Sequence, residues 1–90
     1  MIGLEWKTIQ ERQLEIAKRF KEARKAQKIS QQDLSKKSGV SYGSIKRFEQ
    51  SGEISLSSFL SISLELGYEK DFDYLFKEIY YKNVLDKVKK

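Results

Sequence analysis

Apolar residues recur along the chain at three-, four- and seven-residue spacings, and no stretch alternates strictly between apolar and polar positions. The first periodic run is Ile9, Ile16, Phe20 and Ala23. A helical repeat of about 3.6 residues places these on one face. Lys18, Arg19, Lys21, Lys25 and Lys28 fall mostly off that face, which predicts an amphipathic helix with a basic outer surface. Thr8 followed by Glu11 has the form of a capping box and sets the helix start near Thr8. Ser30 is the next N-cap, with Asp33 in the first turn where the helix dipole favours an anion. That helix runs from Gln31 to Ser38 and stops at Gly39, a residue free to take the left-handed conformation that ends many helices. Ser41 opens a third helix from Tyr42 to about Gln50, closed by Ser51 and Gly52. A fourth begins between Ser55 and Ser57 and carries Phe59, Leu60, Ile62, Leu64 and Leu66 up to Gly67. From Asp71 onward, Phe72, Leu75, Phe76, Ile79, Tyr80, Val84, Leu85 and Val88 predict one or two further helices with an apolar stripe. The fold class is all-α.

Composition narrows what such a bundle can be. The 90 residues contain no proline, cysteine or histidine. Helices therefore run without a proline break, no disulfide is possible, and the usual zinc ligands are missing, so metal and cofactor are both expected to be none. A core of roughly 15 to 20 apolar side chains is what a domain of this size can bury, with little room for an enclosed active site. Serines are abundant (Ser55, Ser57, Ser58, Ser61, Ser63), but they sit at helix-start and surface spacings rather than beside a base, and no converging pair of catalytic groups is visible. An enzyme is the least favoured class. The N-terminal MIGLEWKTIQER lacks the apolar core of a signal peptide and no segment approaches the length of a membrane span, so residence in the cytoplasm, away from membranes, is the expectation.

Charge is unevenly distributed along the chain. The net charge is +5, yet residues 1–50 carry 12 Lys/Arg against 6 Asp/Glu, while residues 51–90 carry 6 against 7. A basic half reads as a solvated face or as a surface for nucleic acid, and charge alone does not choose.

The choice turns on residues 31 to 50, QQDLSKKSGVSYGSIKRFEQ. Two short helices that cross steeply need a buried residue between them, a small one where their backs approach, and a tight turn. Leu34, Ser35 and Gly39 meet these needs in order, Val40 plugs the space beneath the turn, and Ile45 and Phe48 fix the second helix to the core. A generic helical hairpin is the plain alternative, but six spaced positions agree with a helix-turn-helix.

With IAKRFKEARKAQKIS before it and SLSSFLSISLELGY after it, the stretch from Ile16 to Phe76 resembles the lambda-repressor/Cro type of helix-turn-helix regulator, the XRE family. The resemblance implies a compact bundle of about five helices, with residues 1–12 and 78–90 as extensions on a DNA-binding domain at 13–77. It implies double-stranded DNA as partner, with helix 42–50 in the major groove and a homodimer on a palindromic operator. Position by position it assigns base contacts to Tyr42, Gly43, Lys46 and Arg47, and phosphate contacts to Ser30, Gln31, Ser41 and Gln50. Arg47 leads for direct readout, since a guanidinium can fork onto guanine O6 and N7. Gly43 departs from the pattern by bringing no side chain where relatives often have one. Arg24 and Glu49 match positions that form a structural ion pair in many relatives. Trp6 with Ile2 and Leu4, and the tail YYKNVLDKVKK, fall outside the resemblance and read either as packing onto the bundle or as a dimer contact.

Three functions stay open at this point. They are a sequence-specific transcriptional repressor, the DNA-binding antitoxin of a toxin–antitoxin pair with a toxin as second partner, and a helical protein-interaction module without DNA binding.

Overall fold

A computed structural model describes residues 6–79, and all regular structure among them is helical. Ile2 and Leu4, and the tail residues 80–90 with Val84, Leu85 and Val88, lie outside the described residues. The helices are α1 (Ile9–Ala26), α2 (Gln31–Ser38), α3 (Tyr42–Ser51), α4 (Leu56–Glu65) and α5 (Glu69–Tyr74). Four begin on a side-chain cap of the kind the sequence signals. Thr8 and Glu11 exchange bonds of 3.0 and 2.8 Å, completing the capping box of α1. The hydroxyls of Ser30, Ser41 and Ser55 accept the N–H of Asp33, Ser44 and Ser58 at 3.0–3.1 Å. Each cap satisfies an N–H that has no partner within its own helix.

α3 packs on both α1 and α2, and α4 packs on α2. Their common core holds Ala17, Phe20, Leu34, Val40, Ile45, Phe48, Ile62 and Leu66, with Ile29, Ile54 and Phe59 packed against it. Phe48 and Phe20 meet edge to face at 5.4 Å between ring centroids, and Phe59 bridges Phe48 (5.4 Å) to Phe72 (5.5 Å). This aromatic row ties the end of α3 to α1, α4 and α5 through offset and edge contacts that suit the ring quadrupoles.

Two expectations are corrected. Of the stripe Ile9, Ile16, Phe20, Ala23, Phe20 alone is buried. Ile9 is 74% and Ile16 41% exposed, and the fully buried positions are Ala17, Phe20 and Arg24, with Gln13 half-buried in the same row. The inward face is thus offset from the apolar stripe because two of its positions are polar side chains with tertiary partners. Gln13 donates to the Gly52 carbonyl at 3.3 Å and Arg24 reaches Glu49. Ile16 and Ala23 instead flank a surface recess with Phe59 and Phe72. The C-terminal stripe also differs. α5 starts earlier than Asp71 and ends at Tyr74, so among the described residues of the stripe only Phe72 is turned toward the bundle, while Leu75, Phe76 and Ile79 stand exposed. Among the described residues the core is accordingly smaller than composition allows. Trp6 is 72% exposed. α1 runs unbroken from Ile9 to Ala26, starting at the Thr8–Glu11 box as the sequence signals.

Candidate nucleic-acid interface

The turn between α2 and α3 follows from local chemistry. Gly39 takes φ +80°, a conformation that strains any residue with a Cβ, and its N–H closes on the Ser35 carbonyl at 2.9 Å. Val40 then drops into the core and Ser41 restarts the helix. Leu34 and Ile45, both fully buried, seal the crossing, and Ser35 is half-buried.

With Ile45 and Phe48 turned inward, the opposite side of α3 presents Tyr42, Gly43, Lys46, Arg47 and Gln50, all exposed. Tyr42 and Lys46 are neighbours one turn apart, and the Lys46 ammonium lies 5.9 Å from the centre of the Tyr42 ring, within cation–π range. Arg47 occupies the other edge of this face, where its Nη2 donates to Glu53 Oε1 at 2.8 Å. Gly43 lies between the two edges, and a Cβ added there would meet nothing within 4 Å. Gly43→Ala is therefore expected to raise stability by about 0.5 kcal/mol through helix propensity alone. Thermal unfolding would register this as a small rise in Tm, and a fall would show that the position has a constraint beyond open space.

Beneath this face, α3 is fastened to the rest of the molecule by a buried polar knot. Arg24 Nε donates to Glu49 Oε2 at 2.7 Å and Nη2 to Oε1 at 2.9 Å, a bidentate pair with side chains only 7% and 2% exposed. Arg24 Nη1 also donates to the Ile29 carbonyl at 2.8 Å, and the Gln31 amide donates to Glu49 Oε1 at 2.8 Å. Among the described residues, no buried side-chain nitrogen or oxygen lacks a partner. The knot links the C-terminal parts of α1 and α3 to the start of α2, and so fixes the reading face relative to the N-terminus of α2.

The structure brings the phosphate candidates to helix starts and ends, not to one point. Ser30 and Ser41 are N-caps, and Gln50 lies near the end of α3. The Gln31 side chain is turned to Glu49, so what α2 offers outward at its start is its unpaired backbone N–H groups, an arrangement suited to an anion. The Ser41 hydroxyl donates to Ser44 Oγ at 2.8 Å while capping the helix.

Two residues at the far end of α3 escape sequence reasoning. Gly52 is a left-handed C-cap, but it is also buried, with its Cα against α1; an added Cβ would stand 2.7 Å from Gln13 Cβ and 2.8 Å from the Gln13 carbonyl carbon. Glu53 follows it and carries the partner of Arg47. A Ser-Gly-Glu sequence signals a helix end, and nothing local signals which carboxylate or which helix it meets.

An α2–α3 pair joined by a tight glycine turn, with a buried ion-pair anchor and an exposed basic second helix, defines a helix-turn-helix, a fold class that binds DNA. A sequence model of the family described as helix-turn-helix matches residues 20–74, and the chain belongs to that family, in its lambda-repressor (XRE) branch. Neither the curated proteins nor the solved structures include a match to the chain. The family is one of DNA-binding regulators, generally without enzymatic activity. Among the described residues no helix is long and apolar enough to cross a membrane.

Proposed function

We infer that the chain is a sequence-specific transcriptional repressor that lays α3, over residues 42–50, in the major groove of a palindromic operator as a homodimer. The observation that carries this reading is the exposed row Tyr42, Gly43, Lys46, Arg47 on a helix whose opposite side is locked by the Arg24–Glu49–Gln31 knot. A rigidly held helix with polar and basic groups on its free side suits groove readout, which demands fixed side-chain origins. In this reading Arg47 forks onto guanine, Tyr42 contacts a thymine methyl or a phosphate, and Lys46 holds the backbone. Ser30, Gln31, Ser41 and Gln50 set the register through phosphates, Gln31 chiefly with its backbone N–H at the start of α2.

Exposed Leu75, Phe76 and Ile79 favour a second protein surface beyond the DNA-binding unit. That surface suits the partner copy of a dimer and, as the second reading, the toxin of an antitoxin pair. A protein from the adjacent gene that copurifies in fixed ratio would support the toxin reading.

The deciding experiment selects bound sequences from a random duplex pool and then titrates the enriched duplex at several salt concentrations. A palindromic consensus is expected, with affinity falling steeply as salt rises. Failure to enrich any sequence at low salt would sink the repressor reading. Arg47→Ala is expected to relax selectivity at one base position by about 1–3 kcal/mol while other positions keep theirs.

A further inference from the structure

The geometry points to Glu53 as a positioning residue for base readout by Arg47, one that raises the preference for the operator over random DNA. This rests on the reading that α3 lies in the major groove. Of the carboxylates on α3 and in the loop after it, Glu49 is buried beneath Arg24 and Gln31, and Glu53 alone stands at the exposed edge. Its Oε1 accepts from Arg47 Nη2 at 2.8 Å, and the two side chains are 60% and 71% exposed.

A pair this open is worth at most about fivefold in a folding equilibrium, so stability accounts for little of it. Its location is nevertheless closely specified. Gly52 is pinned against α1, with its carbonyl taking the Gln13 amide at 3.3 Å. The Ser51 hydroxyl donates to the Arg47 carbonyl at 2.8 Å and accepts the Glu53 N–H at 3.2 Å. The loop is thus held to α1 at Gly52 and, through Ser51, to the helix turn that carries Arg47. Both side chains border a recess of about 330 Å³ between α3 and the start of α4, lined also by Ser44, Ile54, Ser55 and Ser58.

The bond uses one N–H of a guanidinium that has five. The remaining donors still include a pair able to fork onto guanine O6 and N7. A long, exposed arginine loses much rotamer freedom when it makes such a fork, and a carboxylate that already restrains it reduces that loss. The same negative charge disfavours phosphate at this edge, so Arg47 gains less from the backbone of random DNA. Orientation aids the specific complex and charge opposes the non-specific one. Both raise the ratio between them.

The test compares wild type, Glu53→Ala and Glu53→Gln on two probes, the duplex enriched by selection and a random-sequence duplex of equal length, across a salt series. Glu53→Ala is expected to lower the enriched-to-random affinity ratio about three- to fivefold. The salt slope on random duplex should steepen by up to about one. Glu53→Gln keeps an acceptor oxygen without the charge, so it should fall between wild type and Glu53→Ala. In an Arg47→Ala background the Glu53 substitution should leave the ratio unchanged. Equal gains on both probes would overturn the proposal by reducing Glu53 to a repulsive charge, and an unchanged ratio with Arg47 present would overturn it outright. If wild type fails to enrich any duplex, the repressor reading falls first and this one with it. An effect confined to random DNA that persists without Arg47 would also refute positioning, while leaving the repressor reading intact.

Discussion

Glu49→Ala is expected to lower the unfolding free energy by about 3 to 5 kcal/mol, a large share of what a domain of this size possesses. The carboxylate takes three hydrogen bonds, two from Arg24 and one from Gln31, at 2.7–2.9 Å. Its removal leaves the Arg24 guanidinium 7% exposed with only the Ile29 carbonyl for company. The penalty is mainly that of a buried charge without its counterion, and the net worth of the intact pair is smaller. This distinction has its own consequence. The double change Arg24→Met/Glu49→Met removes both charges and should recover most of the loss, since apolar replacements of similar volume restore packing without desolvation. Urea unfolding of the two single variants and the double would read out the cycle. A single-variant loss below about 1 kcal/mol would mean that water reaches Arg24 and that the knot is not buried in solution. Added salt separates this pair from the surface ones. Lys7–Glu15, with side chains 46% and 41% exposed, and Arg47–Glu53 lie in screening range, whereas the Glu49 effect should persist at high salt.

Gly52→Ala is the second large effect, and it comes from a different source. Two terms add. At φ +83° an L side chain carries roughly 1–2 kcal/mol of backbone strain. Then the new methyl would overlap Gln13 Cβ at 2.7 Å and Gln13 backbone atoms at 2.8 and 3.0 Å, contacts that require α1 and α3 to separate. α1 cannot yield freely, because Ala17 and Phe20, one and two turns further on, are seated in the core. Overpacking of this kind typically costs a further 1–3 kcal/mol. Gly39→Ala supplies the control. Its φ is +80°, nearly the same, but nothing lies within 4 Å of the added carbon, so only the strain term of about 1 kcal/mol applies. The gap between the two variants measures the close approach of α3 to α1. Equal losses would show that the helices are further apart than 2.7 Å to the new carbon implies.

The elements that could be read from the chain are those decided within a few residues. Capping joins positions three apart, so Thr8 with Glu11, and Ser30, Ser41 and Ser55 with the residues they cap, are legible as soon as the residue types are seen. Gly39 is legible for the same reason, since a left-handed helix end is a local backbone state. The buried set Leu34, Val40, Ile45 and Phe48 follows from spacing because both helices of the motif are short and apolar on one side only. α1 misled for a physical reason. Its inward row includes Gln13 and Arg24, polar groups that are stable there only because partners 39 and 25 residues away arrive to receive them. An apolar stripe counts only apolar residues, and so it drifted onto Ile16. The C-terminal stripe misled in the opposite sense, because apolar side chains at Leu75, Phe76 and Ile79 have no bundle surface within reach once α5 ends at Tyr74.

From the chain alone come the helical character, the limits of most helices, the turn at Gly39 and the outward row Tyr42, Gly43, Lys46 and Arg47. These rest on local hydrogen bonds and on a period of about 3.6 residues, both of which act over short spans of chain. Long-range packing settles which row of α1 faces inward, that Gln31 turns toward Glu49 and that Gly52 is a point of contact as well as a cap, and the loop after Gly52 brings Glu53 to Arg47. The first three depend on where α3 lies across α1 and α2. That placement is settled by the fit of Phe48 against Phe20 and Phe59 and by a buried charge finding its counterion, neither of which is a property of any one segment.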